Sequence, residues 1–411
     1  MTSRIKHYFR AGHISMSPAI ALPVLIAAAR STQTVPVAFP WQAPGLDTYN
    51  GTAAIAAMVR DIGLGEKDAV LLPAYCCGAE LGPFRHAACA IYFYDVKKDL
   101  SIDRQTIEST VAAHPEIRLL LVTHYFGVPQ PESLAISQWC KQQQIILAED
   151  CAHALYSQNV SEPVGILGDY AIFSPRKSLP VTEGGRLAIR KPCNSSTLDT
   201  VARRVPRLPL LERLCYSLQQ GARTRPDTLS IHGLASIAII AISTIPSIVI
   251  KLLKAKGNFQ AHHWLTPEVE GKDAVPVYDV GSSALSRRIF ATGNAQTITQ
   301  VRRDNYAYWL DRIKHSVQLK ALIEHLPDGS CPLYFPVIVS DPAMCVESLA
   351  KADIEAFNWW QHMPEELLAQ GSDAFPVACQ LKQSVIALPV HQFVSHRQID
   401  RMAELLTQAV S

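Results

Sequence analysis

From Asn50 onward the apolar positions alternate between two periods. Ala53 to Ile62 carries apolar residues at helical spacing, whereas Val70–Leu72, Ile91–Tyr94, Leu119–Thr123 and Ile145–Ala148 are short apolar runs separated by polar, helix-compatible segments. Buried runs divided by helices predict a mostly parallel sheet with helices on its faces. Ligands of such sheets bind beyond the carboxyl ends of the strands, which would gather Pro73 to Cys77, His124 and Asp150 at one edge.

After Gly185 the rhythm changes. Residues 195–275 are basic, proline-punctuated and then apolar, without strand alternation, and read as a mainly helical insertion. Ser282 to His315, containing VRRDNYAYWLDRI, reads as a helix bridging two domains. Tyr334–Val339, Ala343–Lys351, Val385–Leu388 and Arg397–Leu406 then predict a small α/β domain. The expected organisation is an N-terminal segment over 1–44, a large α/β domain over 45–194, a helical, apolar insertion over 195–280, and the bridging helix with the small C-terminal domain over 281–411.

Two apolar stretches bear on location. Pro18 to Ala29 follows Lys6, His7 and Arg10 and has the outline of a weak signal peptide, but at about a dozen residues it is too short to span a bilayer, and a buried N-terminal segment is the preferred reading. Leu229 to Ile250 holds no Asp, Glu, Lys or Arg and precedes Lys251, Lys254 and Lys256. Ser236, Ser243, Thr244, Pro246 and Ser247 dilute it, and a single span would put the two flanking parts of one domain on opposite sides of a membrane. A buried helix is preferred, with a membrane-surface or partner-binding contact through residues 234–253 as the alternative.

Composition narrows the chemistry. With 411 residues, 48% of them hydrophobic, the chain can bury a core large enough for two domains. Its 38 basic and 36 acidic residues, net +2, leave no footprint for a polyanion, and neither zinc-finger spacing nor a Walker phosphate loop occurs. Small-molecule chemistry is therefore expected, with no nucleic acid. Ten scattered cysteines without a CxxC pair indicate neither a disulfide framework nor a metal site, and fit reduced thiols in the cytoplasm. The adjacent His262 and His263 have no third ligand at useful spacing and are read as a loop or surface pair.

Candidate chemistry concentrates between Ala148 and Gly185, AEDCAHALYSQNVSEPVGILGDYAIFSPRKSLPVTEGG. Asp150 ends an apolar run and should sit at the mouth of the sheet, where a carboxylate can keep a pyridine nitrogen protonated and so make the ring an electron sink; a helix N-cap is the equally weighted alternative. Lys177 lies between the β-like runs Tyr170–Phe173 and Arg186–Ile189, on a tight turn at the same edge. Partly desolvated there, it can form a Schiff base with an aldehyde and shuttle protons, although a lone loop Lys is more often a solvated charge. Ser174 supplies a phosphate donor, and Gly184 and Gly185 permit close backbone approach. Upstream, Tyr49 to Ala54 opens the first helix, where the amides around Gly51, Thr52 and Ala53 and the Thr52 hydroxyl form an anion site suited to a phosphate ester. Trp359, Trp360 and His362 either line a sugar pocket or pack the small domain.

With these residues in view, the chain resembles the DegT/DnrJ/EryC1/StrS aminotransferases, the sugar aminotransferase branch of the fold-type-I pyridoxal phosphate enzymes, over about residues 45–190 and 280–410. GTAAIAAMVRDIGLGEKDAVLLPAY, YFYDVKKDLSID, THYFGVPQP, AEDCAHAL, FSPRKSLPVTEGG and LPVHQFVSHRQIDRM carry the likeness. It implies Asp150 on the pyridine nitrogen, His153 at the phenolic oxygen, Lys177 as the Schiff-base lysine, and Ser174 and Thr52 at the phosphate, with His124 near the substrate. Some relatives carry His in place of that lysine and act as dehydratases, so Lys177 favours transamination. Three departures stand out: Ser174 and Lys177 are two residues closer than in the common form, Asn50 replaces the usual Ser, and the ring-stacking aromatic falls on Cys77, leaving Tyr75 or a residue elsewhere to take its place.

The expectation is a homodimeric, cytoplasmic enzyme, peripheral at the membrane if residues 234–253 meet lipid, that moves an amino group from glutamate to a nucleotide-linked keto-sugar for polysaccharide or secondary-metabolite synthesis. The alternatives are lyase or decarboxylase chemistry on the same fold, or a membrane-associated scaffold or regulator without turnover.

Overall fold

The computed structural model describes residues 13–32, 39–159, 162–190, 205, 207–223 and 278–410. The strands in chain order are β1 Gly45–Thr48, β2 Ala69–Pro73, β3 Ala90–Tyr94, β4 Ile117–Thr123, β5 Ile146–Asp150, the short hairpin β6 Gln158–Asn159 and β7 Glu162–Pro163, β8 Tyr170–Phe173, β9 Gly185–Ile189, β10 Lys320–Ala321, β11 Tyr334–Ile338, β12 Phe357–Asn358 and β13 Val385–Pro389.

Seven strands form the central sheet in the order β1-β9-β8-β5-β4-β2-β3. The pairs β2–β3, β2–β4, β4–β5 and β5–β8 are parallel, while β9 turns back antiparallel to β8 and β1 closes the edge against β9. Every residue of β2, β8 and β9 is buried, as expected for strands covered on both faces. The Gly51–Ile62 helix packs eight buried residues against this sheet and ends at Gly63, whose φ of 72° is the left-handed conformation that favours glycine.

The sequence reading of the sheet holds, with strand ends extended by one or two residues. Ser282 to His315 is not one helix: Ala284–Thr292 stops at Gly293, and Ala295–Ile313 restarts where the Asn294 side chain accepts from the Thr297 amide at 2.9 Å. The small domain is a four-stranded antiparallel sheet, β10-β11-β13-β12, backed by the Pro342–Lys351 and His396–Val410 helices. Its core joins Phe335, Val337 and Leu388 to Trp309 of the bridging helix.

The N-terminal residues pack on the small domain: Ile14 bridges Ile354, and the Met16 amide donates to Glu355 at 3.0 Å. Within the Leu22–Arg30 helix Ala28 is buried, while Leu22 and Ile26 are exposed. Of the expected insertion the Arg207–Arg223 helix is described; the apolar stretch 229–253 and His262–His263 lie outside the described residues. No described helix is long and apolar enough to cross a membrane. The nine described cysteines are free thiols.

Candidate active site

The end of β5, the turn after β8 and the start of the Gly51–Ile62 helix meet at one cavity of about 490 Å³, which residues 357–362 of the small domain close from the other side.

The helix start is shaped by Asn50. Its backbone is extended, its side-chain oxygen accepts from the Ala53 amide at 2.8 Å, and its carbonyl accepts from the Ala54 amide at 3.2 Å. Ala53 is therefore not available as a ligand contact, contrary to expectation: it is fully buried and its amide is consumed by the cap. Gly51 and Thr52 line the cavity, and helix geometry leaves their amides without intrahelical acceptors. These two amides could hold an anion in the cavity, one fewer than the sequence suggested.

The helix start is pressed onto β9. A Cβ on Gly185 would lie 2.1 Å from the Asn50 carbonyl oxygen and 2.5 Å from Thr48 Oγ1, and the Gly184 amide donates to the Tyr49 carbonyl at 2.7 Å. The close approach that the paired glycines permit is thus between two stretches of this chain. Glu183, fully buried, accepts from the Ser283 amide at 2.8 Å and from the Thr182 hydroxyl, fastening the start of the Ala284–Thr292 helix.

Lys177 sits in a single helical turn, Pro175–Ser178, rather than a tight turn. The shortened spacing does not displace Ser174: a Cβ on Gly51 would lie 3.8 Å from that of Ser174, so the hydroxyl-bearing residue stands beside the helix start. Lys177 Nζ is 3.2 Å from His153 Nε2. On its other side His153 Nδ1 accepts from the Phe126 amide at 3.3 Å. Burial, and then the charge of Lys177, hold the imidazole well below its ordinary pKa, so the ring is neutral.

Asp150 ends β5 and lines the cavity. It accepts from the Ala152 amide at 2.9 Å, and no helix follows, so the N-cap alternative does not apply. Burial pushes its carboxyl up to about 6, against the opposing pull of the Ala152 amide and Lys177. Such a carboxyl gains most from a cation placed against it, which a protonated ring nitrogen would supply.

His124 is corrected from substrate contact to structural post. Both ring nitrogens are used inside the protein, Nδ1 accepting from the Gln130 amide at 3.0 Å and Nε2 pairing with Glu149 at 3.1 Å. Glu149 also accepts from the amides of Gly165, Leu167 and Gly168. Burial alone would raise its carboxyl, but His124 and the backbone amides outweigh burial and hold it below the usual range.

Tyr75 is likewise corrected. It does not line the cavity; it is fully buried, donates its hydroxyl to the Trp359 carbonyl and packs 5.2 Å from the Trp360 ring. Cys77 does line the cavity, its thiol 2.8 Å from a Glu80 oxygen and raised well above the ordinary value by burial and then by Glu80. Trp359 and Trp360 line it as expected, their rings 5.4 and 5.5 Å from His153. The buried Trp359 indole N–H and Asn358 Oδ1 have no partner among the described residues.

Arg176, Glu80 and Asn358 also line the cavity and were not picked out from sequence. Arg176 adjoins Lys177 and Glu80 follows Cys77 by three positions, signals that were there to use; Asn358 belongs to a two-residue strand without any. A phosphorylated pyridine aldehyde fits this donor set: hydroxyls and amides at one end, a carboxyl at the other, and an amine between. Among the described residues no three His, Cys, Asp or Glu side chains gather as a metal site would require.

The sequence model of the DegT/DnrJ/EryC1/StrS aminotransferase family matches residues 42–202, which include β1 to β9 and every large-domain residue of the cavity. Over these residues the chain is similar to this family. Protein MosB of Rhizobium meliloti is 30% identical over 146 residues, 35% of this chain and 28% of MosB. A dTDP-4-dehydro-2,3,6-trideoxy-D-glucose 4-aminotransferase of Saccharopolyspora spinosa is 31% identical over 143 residues, 33% of this chain and 35% of that enzyme. The alignments thus span about a third of the length of these relatives. The fold likeness reaches further: the structure of DesI with its TDP-sugar product superposes with a TM-score of 0.66 over 98% of this chain and 94% of that one, at 15% identity.

Proposed function

We propose that the protein is a pyridoxal phosphate-dependent aminotransferase that moves an amino group, with glutamate as donor, to a nucleotide-linked keto-sugar. The observation that carries the reading is the juxtaposition of Lys177 with His153 at 3.2 Å in the same cavity as Asp150 and the Gly51–Thr52 helix start. The family match supports it, as does the sugar substrate named for the Saccharopolyspora relative.

When bound, the cofactor supplies an aldehyde to condense with amines and a ring that withdraws electrons from the substrate carbon. Gly51, Thr52 and Ser174 would hold its phosphate, Asp150 its ring nitrogen and His153 its phenolic oxygen. Lys177 would be the amine that holds the aldehyde and would serve as the group that moves a proton at the substrate carbon. The neutral His153 ring stands 3.2 Å from the lysine nitrogen and would help fix its position. Trp359 and Trp360 shield the site from water. The same resemblance carries a cytoplasmic homodimer, which sedimentation would check.

Borohydride reduction of the purified protein followed by peptide mapping should place a pyridoxyl group on Lys177. Addition of glutamate should convert the bound cofactor from its aldehyde to its amine absorption. A protein that takes up pyridoxal phosphate yet leaves Lys177 unmodified, or that ignores every amino donor, refutes the assignment.

A further inference from the structure

The Pro376–Ser384 helix belongs to the small domain by sequence, yet it is fastened to the large one. At its first turn the amides of Val377 and Ala378 donate to the side chain of Asp95, which follows β3, at 3.0 and 2.9 Å. Near its other end stands Lys382, 1% exposed. Its ammonium donates to the Cys76 carbonyl, in the turn after β2, and to the His362 carbonyl at 3.0 Å, and it lies 5.9 Å from the centre of the Tyr75 ring. Cys77, next to the first acceptor, and His362, which carries the second, line the cavity from opposite domains.

We propose that Lys382 is a positioning residue that holds the roof of the cavity, residues 359–362, against the turn after β2, and so sets the gap in which cofactor and substrate are gripped. The proposal rests on the aminotransferase reading for what the cavity holds and adds what fixes its width. Packing does not account for the residue: a buried ammonium loses its hydration, and a methionine fills a similar space without that cost. Both acceptors it reaches are neutral carbonyls. What the ammonium alone supplies is several donors on one atom, able to join two backbone groups that belong to different domains.

The neighbouring bonds run the same way. Tyr75 donates its hydroxyl to the Trp359 carbonyl, and Tyr125 donates to the Tyr75 carbonyl at 2.7 Å, so the turn is held from the sheet as well. With Asp95 anchoring its helix, Lys382 has a fixed base from which to hold the roof. Trp359 and Trp360, whose rings stand beside His153, belong to that roof, and widening of the gap would carry them off the site.

The test compares Lys382→Met in the full-length protein with Leu406→Ala, which trims a buried small-domain side chain that does not line the cavity. Iodoacetamide labelling of Cys77 in the absence of cofactor, followed by peptide mapping, reads the gap directly. Lys382→Met should speed that labelling about 10-fold and weaken the affinity for pyridoxal phosphate by a similar factor, the low end for a lost charge-assisted hydrogen bond. Lys382→Arg should restore part of both, and Leu406→Ala should change neither, whatever its loss of urea midpoint. If Lys382→Met does not fold, hydrogen exchange of the wild type decides: peptides covering 74–80 and 359–364 should share one opening free energy, and pyridoxal phosphate should slow both by the same factor. Unchanged Cys77 labelling or unchanged cofactor affinity in Lys382→Met, an equal change in Leu406→Ala, or separate opening of the two peptides overturns the proposal. Faster Cys77 labelling in Lys382→Met of a protein that takes no pyridoxyl group on Lys177 would instead refute the aminotransferase reading and leave the role of Lys382 in the gap standing.

Discussion

Replacing Asp150 by Asn should stabilise the cofactor-free protein at neutral pH while weakening its hold on the cofactor. Burial lifts the Asp150 carboxyl from an ordinary 3.8 to about 6. Each pH unit of that rise is worth about 1.4 kcal/mol, so keeping the group ionised in the folded chain above pH 6 costs about 3 kcal/mol. The sign follows from proton binding. Between pH 4 and 6 the folded chain holds a proton that the unfolded chain has released, so wild-type stability falls across that window and levels off above it. Asn keeps the acceptor for the Ala152 amide and has no charge to desolvate. Its advantage should be absent near pH 4, grow through pH 6 and remain constant at pH 8. For a chain of this length that is a melting-temperature gain of about 3 °C. The assay is thermal unfolding of both proteins, stripped of cofactor, at half-unit pH steps. A difference that stays flat from pH 4 to 8, or that favours the wild type at pH 8, would show that Asp150 is not held at the expense of the empty fold.

Gly185→Ala should lower stability by about 1–3 kcal/mol, because the added Cβ meets the Asn50 carbonyl rather than a yielding side chain, and should also weaken phosphate binding at the displaced helix start; urea unfolding and cofactor titration read the two effects. Glu149→Gln should cost about 3–5 kcal/mol at pH 7, since it breaks a buried pair that also ties three backbone amides. Because the Glu149 carboxyl is held below the usual range, this loss should be fully present above the usual carboxylate range and shrink as pH falls through its folded value. Arg302→Met should cost about 3 kcal/mol by stranding the carbonyls of Pro332 and Leu333 and leaving that of Ser178 to Gln392 alone, measured as a lower urea midpoint.

What was legible in the sequence was whatever depends on neighbours along the chain. Asp150 was placed at the mouth of the sheet because an apolar run precedes it, and Lys177 between β8 and β9 because both strands announce themselves by their own residues. What was missed depends on which groups a fold brings together from afar. Nothing in THYF shows that Glu149 waits 25 residues on to take up the second ring nitrogen of His124. Nothing near Tyr75 shows that Trp359, far along the chain, receives its hydroxyl. Ala53 was assigned to ligand binding as one of the free amides of a helix start, but the Asn50 side chain takes that amide for the cap.

The connection that carries Lys177 leaves the sheet at Phe173 and returns at Gly185, and Phe173 pairs directly with Arg186 across the β8–β9 ladder. Clamped at its base, the connection is also packed along its length, with residues 178–184 buried and Glu183 holding the Ser283 amide. The Lys177 amine thus rides on a connection whose course is set by side-chain packing, while Asp150 and Asn50 are fixed by strand and helix. An insertion or deletion that re-aimed the amine would have to repack the contacts of Ser178 with Arg302 and of Glu183 with Ser283, which ties the position of Lys177 to the two helices that follow.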